Sequence, residues 1–181
     1  MGYSVMPQER LIDGAYVYGI PLTRGYFALI DFEDADLAAF KWHANTCKHP
    51  YAMRRSLPDQ NNKRRHISMS RVILQRKLGV LFLEPGLLCD HASLNVLDNR
   101  RANLRLATRA QNAQNQETHE RLKLGKRLKG AHFRKATGKW RSTIRVVSKD
   151  IYLGTFDTEQ EAHAAYVKAA RKHFGEFARG A

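Results

Sequence analysis

The chain has 181 residues, of which 31 are Lys or Arg and 17 Asp or Glu, giving a formal net charge of +14 at pH 7. That excess favours an anionic partner, but no run of about 18 apolar residues occurs and no helical segment joins a basic face to a broad apolar one, so a membrane is not expected to be it. Cys47 and Cys89 stand apart, so neither a disulfide framework nor a paired Cys-x-x-Cys zinc site is indicated.

The first residues, MGYSVMPQERLIDGAY, carry neither an early basic segment nor an apolar stretch of signal-peptide length, and Met6 stands where a myristoylation pattern needs Ser or Thr. A soluble cytoplasmic protein is expected. Ile20 and Leu22, then Tyr26, Ala28 and Ile30, predict a hairpin around Thr23, Arg24 and Gly25. A short helix from Asp34 to Phe40 follows, then strands through Lys41 to Asn45 and Tyr51 to Arg55, and a helix opened by Ser68 or Ser70. Trp42 is expected in the core. Lys63, Arg64, Arg65 and Arg71 fit either a track for an anion or an exposed loop.

Residues 90 to 112 read DHASLNVLDNRRANLRLATRAQN. Val80 to Leu83, then Gly86 to Cys89, read as a hairpin whose second strand delivers Asp90 and His91. Neighbouring strand residues point to opposite faces, so the two flank one site. Ala92 to Ala102 is polar loop, Asn103 to Leu106 alternates as a short strand, and Thr108 can cap a helix beginning near Arg109 with Asn112 and Asn115 inside it.

Cutting a phosphodiester needs a base for water, a cation for the leaving oxygen and a frame for both. Imidazole supplies the base, since a substantial fraction is neutral at cellular pH. Carboxylate and amide oxygens suit Mg²⁺ or Mn²⁺. Arg100, Arg101 and Arg105 would meet phosphate, whose oxygens match guanidinium forks. A lone Asp-His pair is usually a surface accident; the asparagines and arginines in register give this one weight. The other histidines, His43, His49, His66, His119, His132, His163 and His173, lack such company.

This run resembles the HNH endonucleases, in the phage and intron-associated branch that ends its motif on Asn. The resemblance implies that His91 deprotonates the attacking water, that Asp90 and Asn112 hold one Mg²⁺ or Mn²⁺, and that Asn103 ties down the loop and helps orient His91. Asn99, in Leu97-Asp98-Asn99-Arg100, competes for the orienting role. The ligands of the structural zinc found in some HNH proteins are missing from this chain.

From Leu128 three alternating runs precede one Ala-rich helical run, which predicts a three-stranded antiparallel sheet backed by a helix. Trp140, Ser142, Ile144 and Val146 form one face of the middle strand, and Arg141, Thr143 and Arg145 the other. The helix opens with Thr158 and Glu161 at capping-box spacing, shows a stripe of Ala162, Ala165, Tyr166, Ala169 and Ala170, and stops before Gly175. Residues 121 to 149 hold 11 Lys or Arg and no acidic residue, a self-repelling stretch that calls for a nearby anion.

Gly138-Lys139-Trp140, the run from Tyr152 to Thr158 and the Ala-Tyr helix are similar to the Apetala-two/ethylene-response-factor DNA-binding domain over about residues 128 to 178. The resemblance implies a sheet that enters the major groove through Lys129, His132, Arg134, Arg141, Thr143, Arg145 and Tyr152. His132 and Thr143 replace the usual Arg and Glu, so the plant target sequence does not transfer.

The expected fold is therefore α+β: a strand-rich segment over 1–78, a ββα-metal HNH module over 79–120, a linker over 121–127 and the sheet domain over 128–181. The expected function is that of a monomeric, Mg²⁺-dependent, phage-type or homing-type endonuclease that nicks double-stranded DNA, in the cytoplasm of a bacterial host if phage-encoded. The alternatives are a DNA-binding transcription regulator with an inactive HNH module and a nonspecific basic coating protein.

Overall fold

The computed structural model describes residues 8–12, 15–45, 49–115 and 128–178. The expected linker over 121–127 and Cys47 lie outside the described residues. The chain is mixed α+β with several small antiparallel sheets, and it divides into two compact units, Met1–Thr108 and Arg109–Ala181. Among the described residues no helix is long and apolar enough to cross a membrane.

In the first unit β1 (Gln8–Ile12), β2 (Ala15–Pro21) and β3 (Phe27–Ile30) form an antiparallel meander. The bend at Thr23 to Gly25 is a 3-10 turn with Arg24 at φ 65. Along β3 Ala28 and Ile30 are buried while Phe27 and Leu29 are half-buried, the two-residue period of a strand with one face on the core. The short helix expected from Asp34 to Phe40 is a 3-10 helix over Phe32–Ala39, and the Leu37 carbonyl accepts the indole N–H of buried Trp42 at 2.7 Å. A second sheet joins β4 (His43–Ala44), β5 (Ala52–Arg55) and β6 (His66–Ser68).

Next comes α1 (Met69–Leu78), flanked by Ser68 and closed by Gly79 at φ 67, whose N–H returns to the Arg76 and Gln75 carbonyls. The run Val80 to Leu83 is not the strand its apolarity predicts. β7 (Leu87–His91) pairs instead with β8 (Leu104–Thr108), setting Asp90 opposite Arg105 and His91 opposite Leu104. Gly79 turns the chain out of α1, and the Gln75 side-chain amide holds the Leu81 carbonyl at 3.0 Å, so the run becomes a tethered turn. Leu83 reaches the core, while Leu81 is 94% exposed.

Ile20, Ile30, Leu37, Trp42, Ile73 and Leu104 belong to one buried cluster, with Cys89 and Leu106 packed at its margin. The segment before residue 79 thus shares its core with β7 and β8. Burial of each large side chain here is worth about 1.5–3 kcal/mol.

The second unit contains α2 (Arg109–Asn115), β9 (Ala131–Arg134), β10 (Lys139–Val146), β11 (Lys149–Phe156) and α3 (Glu159–Phe174). β10 lies between β9 and β11, antiparallel to both. The Thr158 hydroxyl accepts from the Glu161 N–H, and the Glu161 carboxylate accepts from the Thr158 N–H, completing a capping box. Tyr166 and Ala170 are buried with Ile144. Gly130 admits no side chain, because the Tyr166 ring fills the place of its Cβ. A register shift between Ser142 and Thr143 sets Ser142 opposite Gly154 and Thr143 opposite Tyr152.

Candidate active site

The site is built from the end of β7 and the loop that follows. Asp90 is buried, and its Oδ2 accepts from Arg105 Nε at 2.8 Å across the β7–β8 pair. His91 ends the strand, with its Nε2 3.4 Å from Asn99 Oδ1. If Nε2 carries the proton toward that oxygen, Nδ1 is the basic nitrogen of the neutral ring. Burial pulls the His91 pKa below the ordinary 6.5, against the smaller raising effects of Asn99, Asp90 and Asp98. The imidazole is therefore neutral near pH 7, as a proton acceptor must be.

Both asparagines of the loop are engaged, in different ways. Asn103 Oδ1 accepts from the Ser93 N–H at 2.9 Å, its Nδ2 donates to the Asp98 carbonyl at 2.7 Å, and its carbonyl accepts from the Ala92 N–H at 2.9 Å. It ties the loop to itself. The amide that reaches His91 is that of Asn99, which is buried and donates through Nδ2 to the Leu97 carbonyl at 3.2 Å.

The loop is also held from the amino-terminal segment. Leu29 of β3 donates to the Leu97 carbonyl and accepts from the Asn99 N–H, both at 2.8 Å. Two residues on, Asp31 Oδ2 accepts from the Arg101 N–H at 2.6 Å. Asp34, with no exposed surface, takes Arg101 Nε at 2.9 Å and Arg76 Nη1 at 3.0 Å. Pattern reading did not single out Asp31 and Asp34. Their signal was four acidic residues among the six from Asp31 to Asp36, in a strongly basic chain.

Each arginine expected to meet phosphate has an internal carboxylate. Arg100 forms a fork with Asp98 at 2.8 and 2.7 Å, Arg101 binds Asp34 and Glu33, and Arg105 binds Asp90. Burial pushes the Cys89 thiol up to about 11, and its Sγ–H points to the Ser70 carbonyl. It behaves as a small core residue.

Asn112 is half-buried on α2, in the second unit. Among the described residues no three or more His, Cys, Asp or Glu side chains cluster to hold a metal ion. Asp90, in the first unit, offers a carboxylate oxygen of the kind a divalent ion takes.

On the sheet, His132, Arg134, Arg141 and Thr143 fall on the face away from Ile144, as the alternation of β9 and β10 requires. Arg141 lies over the Tyr152 ring at 5.2 Å, and the Tyr152 hydroxyl meets Thr155 Oγ1 at 2.7 Å. These residues, with Arg134, Thr137 and Lys139, line a depression of about 550 Å³. Arg145 forms a fork with Asp150. Lys129 precedes β9 and donates to the Gln114 carbonyl at 2.6 Å.

No family model matches the chain, and no curated protein or solved structure is similar to it.

Proposed function

We propose that the chain is a DNA endonuclease of the HNH kind, which hydrolyses one phosphodiester of double-stranded DNA and is brought to it by the basic face of the carboxyl-terminal sheet. The observation that carries the reading is a desolvated imidazole, His91, held through Nε2 by a buried amide beside a buried carboxylate, in a chain of net charge +14. His91 takes the proton of the attacking water, and Asn99 keeps the ring aimed. Asp90, oriented by Arg105, would offer a carboxylate oxygen to Mg²⁺ or Mn²⁺. What that ion supplies when bound is positive charge for the departing 3′ oxygen. A chain acting as a monomer with one such site nicks a single strand.

On the sheet, Arg134 and Arg141 offer donors to phosphate and base edges, and Tyr152 offers an aromatic surface. Arg145 and Thr143 extend that face, with His132 beside Arg141. Lys129, Arg100, Arg101 and Arg105 would serve mainly by holding structure, given their internal partners.

One observation favours a second reading, a DNA-binding regulator with an inactive nuclease module: Arg105 already occupies one oxygen of the Asp90 carboxylate. Supercoiled plasmid with Mg²⁺ decides between them. The parent protein should yield relaxed circles, and His91→Ala and Asp90→Ala should abolish cutting while retaining DNA affinity. A parent protein that binds plasmid but leaves it supercoiled would establish the regulator.

A further inference from the structure

Residues 97 to 101 run alongside residues 29 to 34, pinned at every second position. Leu97 and Asn99 bond to the Leu29 backbone, and the Arg101 N–H bonds to Asp31. The Arg101 side chain then reaches Asp34 through Nε at 2.9 Å and Nη2 at 3.3 Å, and Glu33 through Nη1 at 2.6 Å. Asp34 is fully buried and shared with Arg76, which is itself forked onto Asp36.

A buried carboxylate between two guanidiniums adds little net stability over an apolar filling of the same space, because desolvation offsets the attraction. Its geometric effect is larger: it fixes where the chain passes. Asn99 stands two residues before Arg101, and its contact with His91, at 3.4 Å, is near the limit of a hydrogen bond. A shift of the loop by a fraction of an ångström would break that contact.

We propose that Arg101, clamped by Asp31 and Asp34, is a positioning residue for His91 that acts through Asn99. The proposal rests on the hydrolytic reading for its consequence in rate, while the clamp itself can be tested without turnover. Its role differs from phosphate contact, since the guanidinium is committed to the carboxylates of Asp34 and Glu33.

The decisive experiment is a double-mutant cycle on the full chain, in single-turnover nicking of supercoiled plasmid at saturating protein. Arg101→Ala should slow cutting roughly tenfold to a hundredfold, the scale of a misplaced reacting group, with plasmid affinity unchanged. Asn99→Ala should slow it by a similar factor, and the double variant should be no slower than Asn99→Ala alone. An unchanged rate for Arg101→Ala, or rate losses that multiply, would overturn the proposal.

The second readout is the imidazole ¹⁵N signal of His91, identified by its absence from His91→Ala. Arg101→Ala and Asn99→Ala should move it alike. A ring signal unmoved by Arg101→Ala overturns the clamp, whereas a parent protein that does not cut, yet shows the shared shift, overturns only the hydrolytic reading. Should Arg101→Ala fail to fold, Asp31→Ala replaces it in both measurements. Asp31→Asn, which keeps an acceptor for the Arg101 N–H, should restore rate and signal, and failure to restore them counts against the proposal.

Discussion

Arg105, its side chain 14% exposed, is held by buried Asp90, whereas Arg145, 72% exposed, is held by an Asp150 that is itself half open to water. The same fork of donors does different things in the two places. Across β7 and β8, the guanidinium meets a carboxylate out of solvent and fixes the strand pair; on the sheet, the pair lies in water, where it is screened and readily exchanged for phosphate. Arg134 and Arg141 go further, forming no salt bridge among the described residues, although Arg141 is near enough to help Arg145 hold the Asp150 carboxylate below its usual range. Position relative to carboxylates, more than residue type, separates a scaffold arginine from one available to a ligand.

The largest expected effect falls on the scaffold. Arg105→Ala removes a guanidinium from the buried Asp90 carboxylate and should cost about 3 kcal/mol in urea unfolding, while Arg145→Ala should leave the urea midpoint where it is. Equal midpoints for the two variants would erase the distinction. Next in size, Arg141→Ala should weaken duplex binding by about 1–3 kcal/mol and flatten the log-affinity against log-salt line by roughly 0.9, with folding intact. Arg100→Ala should leave that slope unchanged.

Asp150→Asn sharpens the comparison by releasing Arg145, and should raise DNA affinity severalfold in anisotropy titrations at low salt; reduced affinity would mean that the pair, rather than the freed guanidinium, is what DNA meets. Arg145→Ala should lower affinity.

A smaller effect follows from burial of His91. Its folded pKa lies below the ordinary 6.5, so the stability due to its neutral form is present above 6.5 and lost as pH falls through the folded value. The acid limb of the nicking rate should likewise have its midpoint below 6.5, and a midpoint above that value would contradict a desolvated ring. Smallest of all, Cys89, with its thiol near 11, should resist disulfide reagents in the native protein and react on unfolding.

The elements legible in the sequence were those whose signals are local. Thr158 and Glu161 sit three residues apart and bond to each other, and the β9 to β11 runs carry their alternation within a few residues of their turns. Val80 to Leu83 misled because apolarity alone does not supply a pairing partner; β7 found its own in Leu104–Thr108, beyond the loop. The two-residue β4 and the three-residue β6 were too short to be bounded from pattern.

At the site, Asp90, His91 and the loop asparagines were visible as a motif, yet spacing could not assign Asn99 and Asn103. The division between them depends on backbone bonds to Leu29, which come from the opposite end of the unit's sequence. The partners of Arg101 were hidden for the same reason, lying 67 and 70 residues away.

The two backbone bonds of Leu29 also bear on modularity. A fragment starting at residue 79 would surrender Leu29, Asp31 and Asp34 together, and its loop would lose the bonds they make to it. Transplanting that stretch onto a different protein should give a graft with a misplaced loop unless residues from about Phe27 travel with it, so the unit of exchange is larger than the motif.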